Sequence, residues 1–310
     1  MNIKKLISSQ RIRHKILKCL FWVPDKVMVS IQYWLILKRL PNLKNPKRFT
    51  EWIQWYKIHY RNPLILICAD KSSVRTFISE TIGTQYLTKL YGEYIDASEI
   101  KFNNLPSKFV IKTSDGGNGD NILICHDKSK LKIKETISLI NRWRGKKIEL
   151  IGREWAYKGC KQSKILIEEY LEKEDKSELE DYKFFCFNGD VKYCQLISNR
   201  FTDEKIDFYN VNWEKLEGVV GLNPIVQNSN INHPRPKNYE QMVEIAKTLS
   251  QSFPFVRVDM YNINGRIVFG ELTFYPSSGY GRFKPDSFDF ELGSLFANSI
   301  ANNNQFITSK

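Results

Sequence analysis

The spacing of apolar residues changes character along the chain, and the expected elements change with it. Near the start, Ile12, Ile16, Leu17 and Leu20 recur at helical intervals beside Arg11, Arg13, Lys15 and Lys18, which predicts an amphipathic basic helix. Trp52, Trp55, Tyr56, His59 and Tyr60 keep three- and four-residue spacing, and read as a helix face packed in a core rather than a platform for stacking bases. Past Asn62-Pro63 comes the apolar run Leu64 to Ala69, then Asp70-Lys71. A helical pattern follows through Val74, Phe77 and Ile78 and ends at Gly83, with Asp70 as its expected N-cap.

From Lys108 the period falls to that of strands: KFVIKT, a glycine-rich loop, NILIC, a helix near Leu131 to Trp143, then KILIEEYL. The runs DYKFFCF and VKYCQLIS are joined by Asn188-Gly189-Asp190, a strong hairpin signal. A helix over about Asn238 to Ser250 precedes the last strand pair, FVRVDMYN and RIVFGELTF. There is no internal repeat and no regular alternation of strand and helix, so the expected class is α+β.

Composition narrows the picture. With 310 residues and 42% hydrophobic content, the chain has room for one large domain or a few small ones. The longest nearly apolar run, Val27 to Leu37, covers 11 residues where a bilayer span needs about 20, so no transmembrane helix is expected. Residues up to Lys18 are too charged for a secretory leader, which predicts a cytoplasmic protein. The six cysteines, Cys19, Cys68, Cys125, Cys160, Cys186 and Cys194, form no CxxC pair and read as reduced and buried. The four histidines, His14, His59, His126 and His233, are too scattered for a zinc site.

Charge is unevenly placed. Residues 1–62 carry 14 Lys and Arg against Asp25 and Glu51, so twelve of the thirteen net positive charges lie there. Such a segment suits an anionic membrane or an acidic polymer, and equally a helix docked on its own domain with a solvated basic face.

Three features could carry chemistry. In Lys112-Thr-Ser-Asp-Gly-Gly-Asn-Gly-Asp120, Gly116, Gly117 and Gly119 leave room for backbone N–H groups to approach phosphate oxygens, and Lys112 adds a cation at the strand end. A strand, not a helix, follows the loop, so it reads either as a flap over phosphates or as an ordinary hairpin turn. In the last strand pair, a three-residue loop of Ile263, Asn264 and Gly265 would set Phe269 opposite Asp259 and Glu271 opposite Arg257. Asp259 and Glu271 would then be diagonal neighbours within reach of a shared Mg²⁺, whereas a two-residue turn would send them to opposite faces. The plainer alternative is an arginine–carboxylate pair on a solvated face. Finally, Glu168 and Glu169 end an apolar strand and Asp181 opens the next, where acids can accept from an adenine amino group and from ribose hydroxyls, or simply keep strand edges soluble.

In their order, these pieces resemble the ATP-grasp superfamily, and more closely the TupA-like family of teichuronopeptide biosynthesis. The resemblance runs from about Asn45 to Gly293 through NPKRFTEWIQWYKIHYRNPL, ADKSSVR, LPSKFVIKTSDGGNGDNILI, ILIEEYL, DYKFFCFNGDVKY, FVRVDMY and FGELTFYPSSG. It implies two α+β subdomains with ATP between them: a basic helical segment over 1–62, a linking segment over 63–105, a flap subdomain over 106–167, a core with the metal site over 168–298 and a tail over 299–310. It further implies that Lys71 and Lys112 contact phosphates, Glu168 the adenine edge, Asp181 the ribose and Lys183 a substrate or phosphate. Asp259 and Glu271 would hold Mg²⁺, and Arg257 would stabilise charge on the transferring phosphoryl group or a tetrahedral intermediate. Thr273, included in the metal set, stands where many such enzymes have asparagine. A second departure from the resemblance is that no complete Rossmann-like N-terminal substrate domain is apparent in the sequence.

The implied reaction joins a carboxylate and an amine at the expense of ATP, in assembly of a cell-surface or capsular polysaccharide. The expected partners are an acidic glycan or lipid-linked saccharide acceptor and an amine or amino-acid donor, with peripheral contact to the inner membrane face through residues 1–62. Nucleic acid is not among them. The rival readings are a sugar phosphotransferase, a glycosyltransferase and a non-catalytic protein that binds anionic polymers or membrane surfaces.

Overall fold

The computed structural model describes residues 16–116, 121–144, 148–159, 162–223 and 226–308. The described chain begins with a helical turn at 16–19, so most of the basic helix expected around Ile12 lies outside the described residues. Four helices follow: α1 (Asp25–Leu37), α2 (Phe49–His59), α3 (Leu64–Ala69) and α4 (Val74–Thr81). Next come β1 (Leu90–Tyr94), β2 (Phe109–Thr113), β3 (Ile122–Cys125), α5 (Ile133–Arg144), α6 (Ile148–Gly152) and β4 (Ile165–Glu169). The larger part holds β5 (Asp181–Phe187), β6 (Asp190–Ser198), β7 (Lys205–Asn210), β8 (Val220–Leu222), α7 (Tyr239–Ser250), β9 (Val256–Ile263), β10 (Arg266–Thr273), β11 (Arg282–Lys284) and α8 (Asp286–Ala301).

The strands form a four-stranded sheet in the order β1-β4-β2-β3, a five-stranded sheet in the order β10-β9-β5-β6-β7 and a small β11-β8 pair, all antiparallel. The class is therefore α+β, as the strand runs predicted. Each larger sheet has its own core. The smaller core gathers Phe109, Ile111, Ile165 and Ile167 beneath Ile140 and Trp143 of α5. The larger joins the five-stranded sheet to α7, α8 and the aromatic face of α2, where Tyr56 and Tyr60 are fully buried. α2 and α8 cross so closely that a Cβ on Gly293 would lie 2.2 Å from the Lys47 carbonyl oxygen.

Two details depart from the expected local structure. Asp70 is not the N-cap of α4: its Oδ1 accepts from the N–H groups of Ser72 and Ser73, and the helix starts at Val74. Four of the cysteines are buried as expected, but Cys19 is exposed, and Cys160 lies outside the described residues.

The final hairpin is the larger correction. Ile263 pairs with Arg266, so the loop is only Asn264-Gly265, both with positive φ (54° and 100°) as a two-residue primed turn requires. Strict alternation would then part Asp259 from Glu271. A bulge intervenes: Phe269 faces Met260, Gly270 is left over, and Glu271 faces Asp259 directly. One inserted residue swaps the parity back, so the two carboxylates share a face by a route the three-residue loop did not anticipate. A Cβ at Gly270 would stand 3.0 Å from the Asp259 carbonyl oxygen, so the close strand approach at the bulge favours glycine.

Candidate active site

Three adjacent strands bring the charged groups together. Lys183 on β5 is registered with Asp259 on β9, and Asp259 with Glu271 on β10, which makes one row across the sheet. Asp181, Arg257 and Thr273 lie two residues along their strands and therefore on the same face. Lys183 Nζ donates to Asp259 Oδ2 at 2.7 Å. Arg257 donates from Nε to Asp259 Oδ1 at 2.7 Å and from Nη2 to Oδ2 at 2.6 Å, a two-pronged pair that fixes the carboxylate plane. The same Nη2 reaches Thr273 Oγ1 at 3.2 Å and stands 3.9 Å from Glu271 Oε1, while Thr273 Oγ1 donates to that oxygen at 3.3 Å.

Across the cleft, the four-stranded sheet supplies its own charges. Lys112 Nζ meets Glu168 Oε2 at 2.6 Å, and Arg75 of α4 meets Oε1 at 3.1 Å, so both oxygens of this buried glutamate are engaged. Lys71 follows α3; its backbone N–H donates to Ser114 O at 2.9 Å, its Nζ donates to Gly116 O, and the same Nζ lies 3.6 Å from Glu271 Oε2. Lys71 thus spans from the start of the glycine loop to the core carboxylate. Gly117 and Gly119 lie outside the described residues. Lys71, Lys112, Glu168 and Glu271 line one cleft with Val74, Leu87, Tyr157 and Phe269. A few charged groups among apolar lining residues are the composition of a small-ligand site.

Asp181 sits at the far end of the row. Arg200 Nη1 donates to its Oδ2 at 2.7 Å, and Lys183 Nζ stands 3.9 Å from Oδ1. The site is cation-rich, and Glu271 reports it: burial alone would push its carboxyl up, but Lys71, Lys183, Arg257 and Lys112 hold it down at about 2. Burial likewise works against the Arg257 charge, and Asp259 with Glu271 more than offsets it. Among the described residues, no group of three or more His, Cys, Asp or Glu gathers as a metal cluster. Asp259, Glu271 and Thr273 are the oxygen donors nearest one another on the shared face, with Asp181 further along it.

Of the sequence-predicted site residues, the structure places Lys71, Lys112, Glu168 and Glu271 in the cleft lining, Asp181, Lys183, Arg257, Asp259 and Thr273 beside Glu271 on the core sheet, and Gly116 against Lys71. Sequence reasoning missed Arg75, Arg200 and Gly270. Arg75 stood inside the quoted ADKSSVR segment but only as one cation among many. Arg200 follows a strand with no local signal, while a lone glycine in the strand run RIVFGELTF was a readable mark of a bulge.

A family model described as TupA-like ATPgrasp matches residues 51–297. Among curated proteins none matches the chain. Solved structures similar to it include D-alanine–D-alanine ligase from Bacillus anthracis (15% identity, TM-score 0.46, covering 76% of this chain and 68% of that one). The D-alanine–D-alanine ligase from Helicobacter pylori is similar at 15% identity and TM-score 0.42, covering 81% and 67%. D-cycloserine synthetase is similar at 13% identity and TM-score 0.43, covering 77% and 71%.

Proposed function

We propose that this chain, which belongs to the TupA-like ATPgrasp family, is an ATP-dependent carboxylate–amine ligase that joins an amine or amino acid to a carboxylate of an acidic, cell-surface glycan precursor. The observation that carries the active-site assignment is the facing of two charged walls: the Lys183–Asp259–Glu271 row with Arg257 on one, Lys71 and Lys112 on the other.

In this reading ATP lies in the cleft, its phosphates against Lys71, Lys112 and the glycine loop from Gly116 onward, its adenine towards Glu168 and its ribose towards Asp181. The donor set fits a hard divalent cation: Asp259 and Glu271 offer carboxylate oxygens and Thr273 a hydroxyl, leaving further positions to phosphate oxygens and water. Mg²⁺ held there would neutralise phosphate charge during transfer. The acceptor carboxylate oxygen attacks the γ-phosphorus and the β–γ bridging oxygen departs with ADP, leaving an acyl phosphate. The amine nitrogen then attacks the acyl carbon, phosphate leaves, and the nitrogen loses a proton to solvent. Arg257, held in place by Asp259, is set to stabilise the charge that develops in either step, and Lys183 to meet the substrate or a phosphate.

The test is release of ADP by the purified protein across uronic acids, amino acids and amines. Release that requires both a carboxylate and an amine, with an amide in the products, supports the proposal. Release with a sugar alone and a phosphorylated sugar product would instead make it a phosphotransferase.

A further inference from the structure

α1 is apolar on both sides, yet the protein covers only one. Met28, Val29, Tyr33 and Leu37 face inward and are buried. On the opposite face Val27, Ile31, Trp34 and Leu35 are 47, 44, 51 and 51% exposed. Phe21 and Trp22 just before the helix and Leu40 just after it extend the surface, at 66, 71 and 71% exposure. Of the eighteen large hydrophobics exposed among the described residues, nine fall between residues 16 and 40, so this is a patch and not the usual scatter. A helix apolar all round is ordinarily enclosed, and one side of this one is left about half exposed among the described residues.

We propose that this face seats the protein on an anionic lipid bilayer, with Trp22, Ile31 and Trp34 entering the interfacial zone. Charge complementarity selects this occupant. Lys26 lines the apolar groove beside Val27, Ile31 and Trp34, and Lys38 lies exposed at the helix end. A second copy docked face to face would set these lysines against their own images. Tryptophan with basic residues around an apolar strip matches the chemistry of a lipid headgroup boundary. Among the described residues, no helix is long and apolar enough to cross a membrane, so the contact is peripheral.

The face is rigidly tied to the catalytic body. On the inner side of α1, Gln32 donates to Ile151 O at 3.0 Å and accepts from Tyr280 at 2.6 Å, and Arg282 donates to Ile36 O. The bilayer contact therefore fixes the orientation of the core sheet. It does not rest on the ligase reading, and its test needs no turnover.

The full chain is sedimented with vesicles rich in phosphatidylglycerol and with vesicles of phosphatidylcholine alone, and its tryptophan fluorescence is followed with brominated lipid. Binding to the anionic vesicles and quenching are expected. Ile31→Asp combined with Trp34→Asp should lower vesicle affinity at least tenfold while thermal melting and Mg-ATP affinity stay as in wild type. Lys26→Gln and Lys38→Gln should each cost about fivefold, less at high salt. Wild-type protein that ignores both vesicles, or variants that bind as wild type does, would overturn the proposal. So would a wild-type dimer that Ile31→Asp dissociates, since a second copy would then own the face.

Discussion

Two hairpins of the core sheet start from the same turn and end in opposite uses. Asn188-Gly189 joins β5 to β6 and Asn264-Gly265 joins β9 to β10, each with two residues at positive φ. Each also carries a bulge a few residues from its turn. In the first, Lys192 is left over between the Phe185–Tyr193 and Cys186–Val191 pairs, and β5 remains buried along its whole length. In the second, the extra residue is Gly270, and beyond it the strand turns Glu271 and Thr273 onto the face of Asp259 and Arg257. The same local device leaves the row untouched in one hairpin, whose β5 supplies Lys183 without it, and brings Glu271 into the row in the other. Position relative to the carboxylates, not turn chemistry, makes the difference.

The sharpest way to break that comparison is to remove the extra residue. Deleting Gly270 should restore simple alternation, send Glu271 to the opposite face and cut ADP release by roughly a thousandfold or more, the scale of losing placed electrostatic groups. Deleting Lys192 in the other hairpin moves no site residue, and its effect should appear in melting temperature rather than in turnover of the folded fraction. Comparable loss of specific activity in both deletions would show that the Gly270 bulge has no special bearing on the site.

Next in size are the carboxylates themselves. Asp259→Asn and Glu271→Gln keep volume but remove a charged oxygen, and each should reduce turnover by at least a hundredfold with the fold intact. In Asp259→Asn, Arg257 and Lys183 also lose their shared anion, so some loss of stability is expected there and less in Glu271→Gln. Near-normal Mg²⁺-dependent activity in either variant would put the ion elsewhere.

On the facing sheet the expected effect is smaller and falls on binding. Lys112→Ala should weaken Mg-ATP affinity roughly tenfold to a hundredfold, the range for a hydrogen bond to a charged group. Glu168 keeps Arg75 as a partner at 3.1 Å, so the sheet should survive the change. Calorimetry returning wild-type affinity in a folded variant would remove Lys112 from the phosphate site.

Much of this was legible in the chain, and the limits have physical causes. Strand runs and the Asn188-Gly189 hairpin follow from period-two alternation and turn chemistry, both local. The Lys183–Asp259 neighbourhood depends on β5 pairing with β9 across 76 positions, and no local pattern states which strands become neighbours. The shared face of Asp259 and Glu271 was anticipated, but through a three-residue loop with diagonal contact, and two parity changes that cancel left the same outcome. Arg75 and Arg200 lack spacing that distinguishes them from solvated cations, so only the fold reveals their partners.

The two hairpins also differ in what fastens the outgoing strand, and here the smallest effect is expected. β6 runs out at Ser198 into an exposed turn, whereas β10 leads to Pro276–Gly279, a loop in which Ser277 and Ser278 both hold left-handed backbone at φ 47° and 55°. Lys57 pins that loop from α2: its Nζ has four oxygens within hydrogen-bond reach of its three N–H groups, Ser278 O at 2.5 Å, Gly152 O at 2.9 Å, Ser278 Oγ at 3.0 Å and Gln54 Oε1 at 3.1 Å. Burial drives its pKa down to about 7, with Glu154 and Asp25 only partly opposing the shift. The unfolded chain, where a lysine titrates near its ordinary 10.5, therefore holds more protons than the folded one between pH 7 and that value. Stability from this site rises with pH across the window and levels off below about 7. Denaturant unfolding at pH 7 and pH 9 should show wild type gaining on Lys57→Met with increasing pH, by at most about 1.4 kcal/mol per pH unit. Tyrosines of the unfolded chain titrate alike in both proteins and cancel in the difference. Parallel stability profiles for the two would mean that Lys57 stays charged in the fold, and that the oxygens gathered around its Nζ outweigh its burial.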